Sequence, residues 1–379
     1  MKKDSSVNMS FRLLTGIGVL LVIFGHYGAQ HLTFGGLYPY DTYHMPLFFF
    51  ISGYFFKVQN SSDLPHVFCY IRKKALHLLL PYLAWNLVYG VIAQFLEHNS
   101  IYHFSMGSDS LNIRSLLLTP FCLGQGFVYN VAGWFLGALF LVQVLNCLFQ
   151  WLLRKLPVQS DFLLVALYLV LSCAAIVVAR QDGSSLWQYG VPRNLYLLFW
   201  YGFGRFYRCH LEQYDSRLPF GASLVINVVL TCLMICLFGN ELEIVYLSDF
   251  IGPLPYIFIR AALGIWFWLR LVRFLTPILE HSRFLIFLAD HSFSFMMHQG
   301  LVGLVFNMLL FKSRLLPEFD EGVFCTAIWY TALPDTLKIL YPLWICLVLG
   351  VLLYLYDRFA APFLKHRLCC LTFPPSSRS

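Results

Sequence analysis

The chain alternates between long apolar runs and short polar links along almost its whole length. An apolar run of about 20 residues forms a helix of about 30 Å, which matches the hydrocarbon core of a bilayer. We interpret the runs of this kind as membrane-spanning helices. They lie near residues 11–29, 44–58, 75–96, 131–152, 162–179, 194–209, 219–239, 250–271, 284–311 and 339–357. The pattern therefore predicts an all-α bundle of about ten transmembrane helices that forms one domain over residues 1–379, with no separate soluble domain.

Two of these runs depart from the standard length. The run 44–58 has about 15 residues, or roughly 22 Å of helix, and the run 284–311 is longer than one crossing needs. We count each of them as one span. We interpret a further apolar piece at 323–333 as a surface-lying or re-entrant segment, because an eleventh crossing would contradict the distribution of charge.

The basic residues mark the ends of the spans. Cytosolic loops carry an excess of Lys and Arg, and this rule is satisfied best here when the N-terminus is inside. With an even number of crossings, both termini are then cytosolic. The net charge of +7 is spread over these ends and forms no single patch, so we expect no nucleic-acid partner.

Composition supports the membrane interpretation. Hydrophobic residues make up 59% of the chain and charged residues only 12%, against about 25% in a typical soluble domain. The first span contains His26 and no small-residue cleavage site, so we interpret it as a retained span and not as a removed signal peptide. The 11 Cys residues show no CxxC or Cys/His spacing, and we expect no metal site.

Arg12 and His26 are the main candidates for chemistry, because polar groups in an apolar helix are costly unless they face the bundle interior. They are 14 positions apart, which places them within about 40° on one helix face and about 21 Å apart along the axis. A neutral His26 can accept a proton from a hydroxyl, while Arg12 can hold the other end of a long ligand. The alternative interpretations are that His26 only forms a hydrogen bond between helices and that the Arg12 side chain extends to the lipid headgroups.

The second span offers two further polar side chains, His44 and Ser52. His44 precedes Pro46, which suits the first turn of a helix. Ser52 places a hydroxyl beside Gly53, where another helix can approach closely. We interpret Ser52-Gly53 by itself as a packing feature.

A basic cluster of Arg72, Lys73 and Lys74 leads into the proline-containing third span. Such a cluster is either a cytosolic anchor or a site for phosphates. Trp134 opens the fourth span, where a tryptophan is typical of the interfacial belt. Both features therefore have a structural and a functional interpretation.

The ninth span carries Asp290, His291 and His298 within one apolar run. Because each of these groups is costly in lipid, we expect at least one of them to be functional or to line a pore. His291 and His298 are seven positions apart, so we expect them on the same helix face.

Several of these segments together resemble the acyltransferase-3 family of integral membrane O-acyltransferases. LLTGIGVLLVIFGHYG and HMPLFFFISGYFF are similar to the first two helices of that family. RKKALHLLLPYLAW, GWFLGALF, YGFGRF and SFSFMMHQ resemble its later motifs, in the same order. The arginine of the family stands 11 residues before its histidine. In this chain that position is Thr15, with Arg12 one turn earlier, so either residue fills the arginine position and His26 corresponds to the histidine.

The resemblance implies an enzyme that transfers an acyl group, often acetyl, from cytosolic acyl-CoA to a hydroxyl of a glycan, a lipid-linked sugar or another envelope or secreted acceptor. Acyl-CoA is then a donor substrate, and no permanently bound cofactor is implied. His26 is implied as the general base and Arg12 as a phosphate-binding residue. The expected location is a cell membrane, such as the bacterial cytoplasmic membrane. The remaining candidates for binding donor or acceptor are Arg72, Lys73, Lys74, His44, Ser52, Trp134 and His298.

Two other classes of function are also consistent with a multi-pass chain. A transporter or flippase of a glycan or lipid precursor would use the intramembrane histidines as a proton relay, although the sequence has no evident inverted repeat with broken helices. A scaffold would tolerate the loss of every polar residue named above. An enzyme is distinguished from a carrier because it consumes acyl-CoA without two compartments.

Overall fold

The computed structural model describes residues 3–28, 39–98, 111–122, 127–155, 160–181, 186–239, 250, 252–314 and 330–360. Within these ranges the chain is helical and contains no strand. The α-helices are α1 (Lys3–His26), α2 (His44–Tyr54), α3 (Leu64–Lys74), α4 (Leu80–His98), α5 (Thr119–Cys122), α6 (Trp134–Leu153), α7 (Asp161–Gln181), α8 (Leu186–Phe206), α9 (Glu212–Asp215), α10 (Phe220–Phe238), α11 (Leu254–Leu279), α12 (Arg283–Asp290), α13 (Ser292–Ser313) and α14 (Leu340–Leu355).

The predicted all-helical, multi-pass membrane architecture is confirmed. In the described ranges, eight helical segments are long and apolar enough to cross a bilayer. They include the segment Leu64–Leu96, in which α3 continues into α4 through a π-helical turn at Ala75–Leu79. Two predicted spans are not among the eight, namely α2, which has 11 residues, and α8, which carries Arg193 and Arg205. The count of ten and the cytosolic placement of both termini stay predictions.

The short helix α2 is surrounded by other helices. Ten of its 11 residues are buried, and it packs against α1, α8 and α11. A Cβ on Gly53 would lie 1.8 Å from the carbonyl oxygen of Tyr201, and one on Gly204 would lie 2.0 Å from that of Phe50, so the backbones of α2 and α8 touch. Because protein surrounds α2 on these sides, its length need not match the thickness of the hydrocarbon core.

The run predicted as one span over 284–311 is two helices. α12 ends at Asp290, α13 begins at Ser292, and His291 between them has φ −106° and ψ 18°. The side chains at the break bind other parts of the protein, since Asp290 pairs with Arg12 of α1 and His291 Nε2 lies 3.0 Å from Asp357 Oδ2. The expectation that His291 and His298 share one helix face is therefore wrong.

The apolar piece at 323–333, interpreted as surface-lying or re-entrant, lies mostly outside the described residues. Of this piece the structure describes residues 330–333, which are not helical. The backbone carbonyl of Tyr330 accepts a hydrogen bond from Asn307 Nδ2 of α13 at 2.9 Å. The end of this segment is therefore anchored to the bundle.

Candidate functional site

His26 is the last residue of α1 and contacts α13. Its Nδ1 lies 3.1 Å from Oε1 of Gln299, whose side chain is fully buried. A carboxamide oxygen only accepts hydrogen bonds, so Nδ1 carries the hydrogen and the lone pair of the imidazole is on Nε2. This tautomer is the one that a general base needs when the reacting hydroxyl approaches Nε2.

A second histidine, His44, lies near His26, and the Tyr40 ring lies between them. We call these three residues the His26 cluster. The Tyr40 ring stands edge-on to the His26 ring at 6.3 Å and lies 4.8 Å from the His44 ring. His44 Nδ1 donates to the backbone carbonyl of Tyr40 at 2.6 Å, so this ring too has its lone pair on Nε2. Beside them, burial raises the pKa of Asp41 to about 6, so this carboxyl is neutral in mildly acidic solution.

Tyr27 holds the His26 end of α1 against α13. Its hydroxyl donates to the backbone carbonyl of Gln299 at 3.0 Å, and its ring stacks on that of Tyr341 at 5.1 Å. A Cβ on Gly303 would lie 1.9 Å from the Tyr27 hydroxyl, so a larger residue at this crossing would displace the Tyr27 side chain. His26 and Gln299 are therefore held in place by contacts on both sides of their hydrogen bond.

Arg12 lies near the start of Met9–His26, the apolar part of α1, and His26 lies at the end of that part. Its Nε donates to Asp290 Oδ1 at 2.9 Å, and its Nη2 donates to Asp290 Oδ2. Because α1 is continuous, Arg12 and His26 are about 21 Å apart along its axis and cannot touch one atom together. The Arg12 and Asp290 side chains are 43% and 46% exposed. An exposed ion pair is weak, so Arg12 can exchange Asp290 for another anion. Thr15, the alternative position, donates its hydroxyl to the backbone of its own helix at Phe11.

Ser52 is the one residue of α2 that is not buried, and its hydroxyl accepts a hydrogen bond from Gln143 Nε2 of α6 at 2.9 Å. It stands eight residues after His44, which is about 12 Å along the helix axis. Ser52 therefore belongs to the interior between the two ends and not to the His26 cluster.

Trp134 is buried, with 6% of its surface exposed, so the interfacial-belt interpretation is wrong. Its ring lies 4.7 Å from the guanidinium carbon of Arg193, which is fully buried. Arg193 also donates from Nη2 to the carbonyl of Phe121 at 3.4 Å. This stacking places a positive charge inside the bundle beside α6.

His298 follows Met297 in α13 and faces a different helix from its neighbour Gln299. Its Nδ1 lies 2.8 Å from the Tyr89 hydroxyl of α4, and the Trp85 ring stands edge-on to it at 4.4 Å. Successive helical residues point about 100° apart, so His298 faces α4 while Gln299 faces α1. The structure thus brings His26 and His44 together and keeps His298 on a separate contact.

The predicted basic cluster lies at the end of α3. Arg72 and Lys73 are exposed, and the Lys74 ammonium lies 5.5 Å from the centre of the Tyr70 ring. The Tyr70 ring also contacts Phe56, just after α2, with centroids 5.7 Å apart. This cluster therefore lies near the end of α2 that is remote from His44.

The same end holds cationic clefts, whose residues were not among the predicted site residues. One cleft of about 470 Å³ is lined by Arg154, Arg205 and His210, and an open groove of about 690 Å³ beside it is lined by Lys57 and Arg208. Their signal in the sequence was the pair of arginines three positions apart in GRFYR, which share one helix face. By the positive-inside rule alone, both arginines are interpreted as ordinary residues at the cytosolic end of a span.

A partly buried ionic cluster fixes this end of the bundle. Arg273 of α11 donates to Glu212, and to Asp215 Oδ2 at 3.0 Å. Tyr54, at the end of α2, donates its hydroxyl to Glu212 Oε2 at 3.0 Å. These bonds join α2, α9 and α11, so the turn after α2 has a defined position.

Comparison with curated proteins and with solved structures gave no match. A comparison with protein families matched residues 10–356 to the family described as Acyltransferase domain. That range begins two residues before Arg12 and ends one residue after α14. It includes both the His26 cluster and the basic clefts. The chain therefore belongs to the acyltransferase-3 family of membrane acyltransferases.

Proposed function

We propose that this membrane acyltransferase moves an acyl group, such as acetyl, from acyl-CoA to a hydroxyl group of a glycan, a lipid-linked sugar or another envelope or secreted acceptor. The observation that carries the proposal is the hydrogen bond between His26 and the buried Gln299, which leaves the lone pair of the imidazole on Nε2. An oriented neutral imidazole at a helix end is suited to remove a proton from an attacking hydroxyl.

The reaction is an acyl transfer with His26 as general base. The acceptor O–H gives its proton to Nε2 of His26 while the oxygen attacks the thioester carbonyl carbon. The C–O bond forms, the C–S bond breaks, and the CoA thiolate leaves with the proton that the imidazolium returns. Gln299 Oε1 accepts from Nδ1–H throughout and steadies the imidazolium that forms transiently. A less direct course, in which His26 carries the acyl group itself, uses the same nitrogen.

The Arg12 end is the proposed donor side and faces the cytosol. Arg12 would exchange Asp290 for a donor phosphate, which is feasible because the pair is half exposed. Arg72, Lys73 and Lys74 add positive charge on the same side. The remaining candidates have supporting roles: His44 orients the acceptor or His26, and Ser52, Trp134 and His298 line the interior that the substrates enter.

The interior between the two ends is closed by aromatic rings. Phe48 lies on α2 between His44 and Ser52, and its ring packs against that of Phe135 with centroids 5.4 Å apart. The tip of the Phe48 ring also lies 2.9 Å from the place of a Cβ on Gly18 of α1. An acyl chain that travels from the Arg12 end to His26 therefore requires these rings to move.

Substitution of His26 tests the proposal. His26→Ala is expected to lower transfer from labelled acetyl-CoA to membrane-bound acceptors by about 10²- to 10⁴-fold, because the general base is lost. His66→Ala is the matched control, since His66 is an exposed histidine on α3. Detergent extraction and size-exclusion profiles check that both variants are folded.

Unchanged transfer in folded His26→Ala protein would refute the assignment. Consumption of acetyl-CoA by purified protein in detergent separates the enzyme from a carrier, because detergent leaves no second compartment.

A further inference from the structure

The clefts near Arg205 form one continuous region, which we call the Arg205 cleft. The 470 Å³ cleft and the 690 Å³ groove share Val58 and Arg205 in their walls. Together their walls contain four permanent cations, Lys57, Arg154, Arg205 and Arg208, and one carboxylate, Asp161. Such an excess of positive charge favours a ligand with several negative charges.

The cations of the Arg205 cleft are oriented by protein contacts. Arg205 donates to Asp161 Oδ1 at 2.7 Å and to Gln150 Oε1 at 2.5 Å. Arg208 donates to the carbonyl of Tyr54 at 3.2 Å, and its guanidinium lies 5.4 Å from the Tyr54 ring. Arg guanidinium groups held in this way keep further N–H groups for a phosphate and lose little entropy on binding it.

Buried amides continue from the Arg205 cleft into the bundle. Gln143, Asn146 and Gln150 are spaced three and four positions apart on α6 and share one face, and all three are buried. Gln150 Nε2 donates to Asn146 Oδ1 at 3.4 Å, and Gln143 Nε2 donates to Ser52 at 2.9 Å. Because α6 and α2 run in the same direction, this row of amides leads from the cleft toward the end where His26 and His44 lie.

The row of amides has unused hydrogen-bonding groups. Within the described part of the chain, Gln143 Oε1 and Asn146 Nδ2 have no hydrogen-bond partner, and neither does the hydroxyl of the buried Ser172 on α7. A buried polar group without a partner costs free energy, so a ligand that supplies donors and acceptors here is favoured. A chain with two secondary amides meets this requirement, whereas the acyl tail of a lipid does not.

We propose that the phosphorylated adenosine of acyl-CoA binds in the Arg205 cleft and that the pantetheine arm runs along Gln143 and Asn146 toward His26. This inference rests on the proposed function and assigns the donor phosphates to the Arg205 cleft in place of Arg12, which does not line the cleft. Arg208 and Lys57 bind phosphate oxygens at the open side. The arm amides pair with Gln143 Oε1 and Asn146 Nδ2. Anionic lipid headgroups share the phosphate chemistry but carry no amide arm.

Direct binding of CoA to purified protein tests the site without requiring catalysis. Arg208→Gln is expected to raise the Kd for CoA at least about tenfold, because charge-assisted hydrogen bonds to phosphate are lost. Gln143→Leu is expected to weaken the binding of CoA. The binding of adenosine 3′,5′-bisphosphate is expected to stay unchanged, because that nucleotide lacks the pantetheine arm. The matched control is Arg217→Gln, an exposed arginine outside the cleft that is expected to bind CoA as the unchanged protein does.

The outcomes separate this inference from the proposed function. Equal CoA affinity in Arg208→Gln, Gln143→Leu and the control overturns the donor site, while His26-dependent transfer in the same preparations leaves the proposed function intact. If these two variants lose CoA binding and the unchanged protein shows no transfer activity, the result supports the donor site and counts against the proposed function. Nanodiscs of phosphatidylglycerol compared with phosphatidylcholine distinguish the sources of phosphate. If phosphatidylglycerol abolishes CoA binding through Arg208, the cleft is a lipid site and the inference fails.

Discussion

Gln299 determines which nitrogen of His26 bears the lone pair. Gln299→Leu removes the acceptor of Nδ1–H, so the imidazole loses its fixed tautomer and orientation. We expect kcat to fall by about tenfold to a hundredfold, a share of the general-base contribution, with little change in KM for acyl-CoA. Steady-state transfer kinetics with acetyl-CoA measure this separation of kcat from KM.

A rescue variant separates this positioning role from loss of folding. Gln299→Glu keeps an acceptor at the same place, and we expect it to regain a large part of kcat. Gln213→Leu, the same substitution at an exposed position on α9, is expected to have no effect. A leucine variant with full kcat, or a glutamate variant as slow as the leucine variant, would contradict the role given to Gln299.

At the scale of single residues, the sequence predicted positions better than partners. The spacing of Arg12 and His26 on one continuous helix was predictable from helix geometry alone. Their partners were not, because Asp290 is 278 positions from Arg12 and Gln299 is 273 positions from His26. Asp290 was recognised as a costly charge, but only the packing of α1 against α12 shows what neutralises it.

At the scale of helices, the close contact between α2 and α8 predicts that a larger residue at Gly53 destabilises the protein. Gly53→Ala places a methyl group 1.8 Å from the carbonyl oxygen of Tyr201, and that oxygen is part of a helix backbone and cannot turn away. Overpacking typically costs about 1–3 kcal/mol, and we expect the upper end of that range because backbones must separate. Thermal unfolding in detergent, followed by size-exclusion chromatography, measures the loss.

Gly350→Ala is the matched control for this helix contact. Gly350 lies within α14, and no atom lies within 4 Å of a Cβ added there. Its substitution is expected to be neutral or slightly stabilising, since alanine favours helix more than glycine does. Equal melting temperatures for Gly53→Ala and Gly350→Ala would mean that α2 and α8 are not in backbone contact.

Helices that are surrounded by protein were harder to predict from the sequence than helices that face lipid. The motif HMPLFFFISGYFF predicted a helix correctly, but its apolar composition could not distinguish a span from the buried 11-residue α2. The run 284–311 was read as one helix because apolarity is continuous across it. Its break at His291 depends on Arg12 and on Asp357, which lie far away in the sequence.

At the scale of the whole molecule, the bundle has two chemically different ends. The end with the Arg205 cleft and Arg12 is rich in cations, whereas the other end carries the two imidazoles of His26 and His44. The distribution of Lys and Arg along the chain predicted one end rich in cations through the positive-inside rule. It could not predict the clefts, because a cleft arises from the packing of α6, α7 and α8 together.

This difference between the ends predicts their sidedness. Gln213 is exposed on α9, which binds Arg273 and Tyr54 at the cationic end. Asp335 is highly exposed and pairs with Lys338, which lies against Gly28 just after His26. Because cationic ends face the cytosol, we expect Asp335→Cys in intact cells to react with a membrane-impermeant maleimide. Gln213→Cys is expected to react only after permeabilisation, and labelling of each variant is measured over that of the unchanged protein.

The opposite labelling pattern would place the cationic end outside, where acyl-CoA is absent. A donor made in the cytosol could then reach His26 only from the imidazole side, and the Arg205 cleft would serve no purpose in donor binding. The expected pattern instead requires the acyl group to travel from the cytosolic clefts past Phe48 to His26. The side of the membrane on which Asp335 and Gln213 are labelled therefore decides whether the acyl group moves from the cytosolic end of the bundle to His26 at the other end.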